Sequence, residues 1–198
     1  MIPTLFSVSY AGLWGQCRLD VEAFIKKAAA LGYSAVELMG KRPHLSILDA
    51  DEAWIQTIRQ TAEENRIEIA TIAGYTDFTA GRHAAEVPWL EMQTAYVQTL
   101  ARVAAALGAK IVRVFTGYTT ARDSGLADWD TCVRAIRVCA KITEEYGIQL
   151  GVQNHHDTGI GCDAFIEFLD DVGHPNCRAM FDPWSQPMPV SWWFWTPS

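Results

Sequence analysis

Short apolar runs alternate with longer amphipathic ones along most of the chain. Leu5 to Ser9 opens the series as a strand-type run. Val21 to Leu31 follows at helical spacing, with Asp20 placed to cap it and Gly32 to stop it. Ala35 to Met39 is the second predicted strand. Ala50 to Glu64 is the second helix, with Ala53, Trp54, Ile58 and Ala62 near one face. Glu68 to Ala73 is the third strand, and Trp89 to Leu107 a long helix bounded by Pro88 and Gly108. Ile111 to Phe115 is the fourth strand, Asp130 to Tyr146 the fourth helix, and Gln149 to Asn154, after Gly147, the fifth strand. Cys162 to Val172 is the fifth helix. Gly173 and Pro175 end it, and Cys177 to Phe181 is the sixth strand.

Six strands separated by five helices have the period of βα units on a parallel sheet. The strands are apolar nearly throughout, as expected when both faces are buried. No linker divides the units, so residues 1–184 read as one domain. The stretch Ser7 to Gly15 lacks the G-x-G-x-x-G that would follow the first strand of a dinucleotide fold. Residues 185–198 break the pattern as an uncharged tail holding Trp192, Trp193, Phe194 and Trp195 among three prolines. The tail reads either as coil packed on the core or as an aberrant, truncated terminus.

Composition narrows the partners. The chain has 198 residues, 49% hydrophobic and 20% charged, with a net charge of -7 and no basic run. That balance argues against nucleic acid and against an anionic membrane surface, while leaving room for a small anionic substrate held by one or two cations. No apolar run approaches the roughly 20 residues that span a bilayer. The N-terminus carries no basic segment ahead of its apolar residues, unlike a secretory signal. Cys17, Cys132, Cys139, Cys162 and Cys177 are scattered and show no Cys-x-x-Cys spacing, as expected of free thiols in a reducing cytoplasm.

Candidate chemistry collects where strands end. The second strand carries Glu37 and is followed by Lys41, Arg42 and His44; the third leads to Tyr75 and Asp77. The fourth carries Arg113 and leads to Thr116 and Tyr118; the fifth gives Gln153, Asn154, His155, His156 and Asp157; the sixth gives Asp182 and Trp184. A barrel brings such ends together. His155 and His156 point opposite ways on an extended chain, so one of the two faces a shared centre. Asp182 interrupts an apolar run, which suits a metal ligand or a substrate acceptor. Glu37 either binds substrate or pairs with Arg113 or Lys41. Arg113, between Val112 and Val114, faces the barrel interior as a substrate contact or a structural ion pair.

The segments Ala35 to Ser46, Ile111 to Gly117, Gly151 to Asp157 and Met180 to Trp184 resemble the sugar phosphate isomerase/epimerase family, the xylose-isomerase-like TIM barrels. The resemblance implies a (β/α)₈-type barrel, incomplete here, with about six parallel strands and helices outside. It implies a divalent metal (Mn, Mg, Co or Zn) at the C-terminal face and proton transfer on a small polyhydroxy carbonyl compound, a sugar or sugar phosphate. By position, Gln153 and Asp182 take the metal places of strands five and six. Gln153, His155 and Glu37 become the catalytic candidates, and His44, Arg113, Asn154, His156 and Trp184 the substrate contacts. Two departures matter. An amide at Gln153 cannot accept a proton as a carboxylate does, and the family's strand-seven His and strand-eight Glu have no counterpart. The expectation is therefore an impaired isomerase or epimerase or, alternatively, an inactive barrel fragment that only binds a ligand or partner. Its open sheet edges would also favour self-association.

Overall fold

The computed structural model describes residues 2–84, 86–118, 125–155, 158 and 161–183. Six strands form one sheet: β1 (Thr4–Phe6), β2 (Ala35–Met39), β3 (Glu68–Ala73), β4 (Ile111–Val114), β5 (Gln149–Gln153) and β6 (Cys177–Met180). Each pairs in parallel with the next, in the order β1-β2-β3-β4-β5-β6. Between them run α1 (Val21–Ala30), α2 (Glu52–Asn65), α3 (Trp89–Leu107), α4 (Gly125–Glu145) and α5 (Cys162–Val172). This is the sequential βα order of a TIM barrel. Among the described residues the sheet is open, with β1 and β6 each pairing on one side only.

Alternation along the strands divides the sheet into two faces. Val36, Leu38, Ile72, Val112, Val114, Leu150 and Val152 are buried in the main apolar core with Phe24, Ile25, Leu100, Ile136 and Phe168 of the helices. The positions between them, Glu37, Thr71, Arg113, Gly151 and Gln153, point to the opposite face. Registry aligns this second set: Ala73 pairs with Arg113, Arg113 with Gly151, and Gln153 with Met180. An irregularity between Val36 and Glu37, where the β3 partner jumps from Ile69 to Thr71, turns the end of β2 and helps aim Glu37.

Helix boundaries follow their caps. Asp20 accepts from Ala23 N–H (2.8 Å) and Asp51 from Trp54 N–H (2.8 Å), so α2 begins at Glu52 rather than Ala50. Its buried face also differs from the expected one: Ile55, Ile58, Thr61 and Ala62 are buried, while Ala53 is exposed. The spacing 55, 58, 62 follows the helical repeat better than 53, 54, 58. Helix α4 begins at Gly125, earlier than the expected Asp130. Strand β1 stops at Phe6, and Ser7–Tyr10 forms a 3-10 turn in place of the expected continuation to Ser9. Ser7 is drawn out of the ladder because its hydroxyl accepts from the Met39 N–H (2.8 Å) and meets His44 Nδ1 (2.9 Å). No helix among the described residues is long and apolar enough to cross a membrane.

Candidate functional site

At the C-terminal ends of β2 to β6, polar and aromatic side chains form a continuous layer. Its centre is Arg113, which is only 2% exposed. A buried guanidinium must be neutralised and hydrogen-bonded. Arg113 donates from Nη1 to Gly74 O (3.0 Å) and lies 3.7 Å through Nε from Glu37 Oε1. Aromatic rings cover it: its Cζ lies 4.2 Å from the Phe115 ring centre, 5.1 Å from that of Tyr75 and 5.8 Å from that of Phe6. Nε has no hydrogen-bond partner among the described residues. Burial pushes the Glu37 carboxyl above its ordinary range, outweighing the opposing pull of Arg113.

A second group is built on Asp182. Gln153 Nε2 donates to Asp182 Oδ2 (3.0 Å), and His155 Nδ1 lies 3.2 Å from the same oxygen. The His155 tautomer with hydrogen on Nδ1 donates to this carboxylate and presents a basic Nε2. The imidazole stacks on Phe115 at 5.3 Å between ring centres, with 26° between planes. Asn154 clamps the backbone beside it: its Nδ2 donates to Asp182 O (3.1 Å), and its Oδ1 accepts from Asp182 N–H (2.7 Å). Phe115 thus touches both halves of the layer, Arg113 with Glu37 and His155 with Asp182.

The structure brings together Glu37, Arg113, Gln153, Asn154, His155 and Asp182. It does not bring His44 to them. His44 stacks on Phe24 of α1, and its ring is engaged at both nitrogens, donating from Nε2 to Leu19 O (3.1 Å) and accepting at Nδ1 from the Ser7 hydroxyl. Burial pushes its pKa down, in keeping with this neutral form. His156 and Trp184, like the tail 185–198, lie outside the described residues.

Two contributors carry no functional mark in the sequence. Phe115 stands there only as the end of a strand. Tyr96 lies on α3, far from any strand end in sequence, yet its hydroxyl donates to Gly40 O (2.6 Å) and accepts from Tyr75 N–H (3.1 Å). Burial pushes this phenol up to about 12, so it stays protonated and ties the ends of β2 and β3. No sequence period singles it out; only its partners do.

Asp182 offers a carboxylate and Gln153 an amide oxygen, hard donors of the kind Mg²⁺ or Mn²⁺ takes. The donor types fit such a cation. Among the described residues, however, no group of three or more His, Cys, Asp or Glu side chains is arranged to hold a metal ion.

Comparison with known proteins agrees with this architecture. A probable 3-DHS dehydratase of Bacillus anthracis superposes with a TM-score of 0.76 at 18% identity, over 94% of this chain and 64% of its own. The D-psicose 3-epimerase of Clostridium cellulolyticum H10, solved with D-tagatose, gives 0.75 at 17% identity, over 92% and 63%. A xylose isomerase-like TIM barrel protein of Mycobacterium smegmatis, in complex with magnesium, gives 0.65 at 16% identity, over 92% and 64%. The chain therefore spans less than two thirds of the length of each of these structures, and at these identities the likeness is one of fold. No curated protein matches the sequence. The family model for the xylose isomerase-like TIM barrel matches residues 25–185. The chain belongs to the xylose isomerase-like TIM barrel family.

Proposed function

We propose that this chain carries the site of a sugar or sugar-phosphate isomerase or epimerase, which moves a proton at a carbon next to a carbonyl. The observation that carries this reading is the meeting of His155 and Gln153 on one oxygen of Asp182, beside the buried Glu37–Arg113 pair.

His155 is the proton carrier. Asp182 holds its Nδ1–H and so fixes Nε2 as the base. Nε2 takes the proton from the carbon next to the carbonyl; the electron pair left behind delocalises onto the carbonyl oxygen as an enediolate. Return of the proton to the neighbouring carbon, while the hydroxyl proton of the first carbon passes to the former carbonyl oxygen, gives an isomer; an epimer forms when a second donor, the Glu37 carboxyl or solvent, protonates the other face of the first carbon. Arg113, buried under its aromatic cover, holds Glu37 beside the reacting groups from 3.7 Å. Glu37, whose carboxyl burial pushes above its ordinary range, exchanges a hydrogen bond with a substrate hydroxyl. Phe115 and Tyr75 close the layer against water. Asp182 and the Gln153 carbonyl would hold a divalent cation, whose charge polarises a carbonyl when bound.

Gln153 supports a second reading, in which the chain binds a ligand or partner without turnover. An amide cannot serve as a base, so removal of the proton rests on His155 alone.

The test is proton exchange in D₂O. The full chain with added Mn²⁺, Mg²⁺ or Co²⁺ is incubated with a panel of ketoses and their phosphates, and deuterium entry beside the carbonyl is followed by NMR. His155→Ala should lower the exchange rate about 10² to 10⁴-fold. Equal exchange by the variant would remove His155 from this role. Binding without exchange by the wild type would select the second reading.

A further inference from the structure

Behind Tyr75 lies a cavity of about 500 Å³, roofed by the loop after β2 and floored by α3. Lys41, Tyr75, Trp89, Gln93 and Tyr96 line it, and none of its lining residues is acidic. Tyr75 is the wall it shares with the layer described above, since the same ring also faces Arg113.

The polar groups of this cavity are matched to an acceptor. Arg42 at its edge is neutralised by two bonds to Asp49 (2.8 and 2.7 Å). Lys41 has no acidic partner among the described residues; its ammonium rests 3.9 Å above the Tyr75 ring centre. Trp89 Nε1 is spent on Asp77 O (2.7 Å), and the Tyr96 hydroxyl on Gly40 O. Gln93 Oε1 accepts from Asp77 N–H (3.1 Å), so the end of this amide that remains to meet a ligand is its NH₂ donor. A cation and an amide donor over aromatic walls, with no carboxylate, suit a ligand that only accepts hydrogen bonds and carries negative charge.

We infer that this cavity receives the anionic group of the substrate, a phosphate monoester or a carboxylate, with Lys41 as its counter-ion and Tyr75 as the threshold between it and the reacting carbon. The inference rests on the proposed ketose reading for the position of that carbon. Burial and the nearby Arg113 charge both push the Lys41 pKa down, a strain that a bound anion relieves.

The experiment is isothermal titration of the full chain with a ketose, its terminal phosphate and its terminal uronic acid. It is run on wild type, Lys41→Met and Lys110→Met. Lys110 is exposed and lies just before β4, at the other end of the sheet. One or both anionic sugars should bind about tenfold tighter than the neutral one, the scale of one charge-assisted hydrogen bond. Lys41→Met should erase that gain and leave neutral-sugar affinity unchanged, while Lys110→Met should keep it. Which anionic sugar gains identifies the group. Equal affinity for neutral and anionic sugars overturns the inference. So does a gain that survives Lys41→Met, or a loss by that variant for neutral and anionic sugars alike. In parallel, inorganic phosphate is titrated against carbon-13 dimethylated protein, the Lys41 signal being assigned with Lys41→Met. A shift at Lys41 without sugar binding upholds the anion site and removes the ketose reading. Neutral-sugar binding without a phosphate shift does the reverse, and silence in every arm overturns both.

Discussion

Arg113 Nε stands 3.7 Å from Glu37 Oε1 across the intervening strand β3, an ion pair held too far apart for a hydrogen bond. Both side chains are largely buried, so each depends on the other's charge. Arg113→Met should leave Glu37 uncompensated and cost about 3 to 5 kcal/mol of stability at neutral pH. The double variant Glu37→Leu with Arg113→Met should recover much of that loss. Urea denaturation of the four proteins of this cycle gives the coupling directly. A double variant as unstable as the sum of the singles would mean that the two groups do not interact.

The same carboxyl sets a pH dependence. Its folded pKa lies above the ordinary 4.5, so the folded state holds this proton more tightly than the unfolded one. The stability so gained is fully present below 4.5 and is lost as pH rises through the higher folded value. Wild-type stability should therefore fall relative to Glu37→Gln on raising the pH from the acid side towards neutrality. Melting temperatures of both proteins in a series of buffers check this; parallel curves would contradict it.

The sequence made the βα order and most strand positions legible, because short, nearly all-apolar runs alternate with longer runs of helical period. It also placed Glu37, Arg113, Gln153, Asn154, His155 and Asp182 at strand ends, where a barrel must gather them. His44 misled because its loop also follows a strand end; its ring turns instead to Ser7 and α1, a choice made by contacts remote in sequence. Ser7 ended β1 early for the same reason. Tyr96 was invisible because a tyrosine on an amphipathic helix carries no mark of the two backbone groups it bridges.

Asn154 and the backbone of Asp182 bond each other reciprocally, at 3.1 and 2.7 Å. Asn154→Ala should cost about 1 to 3 kcal/mol, since it strands two partly buried backbone groups. It should also release the Asp182 amide to faster hydrogen exchange. Unchanged exchange at Asp182 would show that the clamp does not hold this segment.

Among the described residues, β1 and β6 each pair on one side only. At β6, Arg178 and Ala179 are exposed, and the adjacent Phe181 is 56% exposed. An unpaired edge beside an apolar side chain is a template for a second strand. This 198-residue chain should associate as its concentration rises, visible as growing mass in size exclusion with light scattering. Phe181→Lys should shift that growth to higher concentration. A constant monomer mass over a hundredfold concentration range would refute it.

Among the described residues, every strand of this sheet pairs only with its neighbours in sequence. Each βα unit therefore finds its docking site on the unit made just before it, and no pairing has to wait for a distant part of the chain. A ribosome releasing the chain from its N-terminus delivers the units in the order in which they stack. The proposed site, by contrast, is completed late. Glu37 meets Arg113 once β4 has joined, but His155 has no Asp182 until β6 is in place. A nascent chain halted after β5 would hold the Arg113–Glu37 pair and lack the Asp182 carboxylate that meets His155.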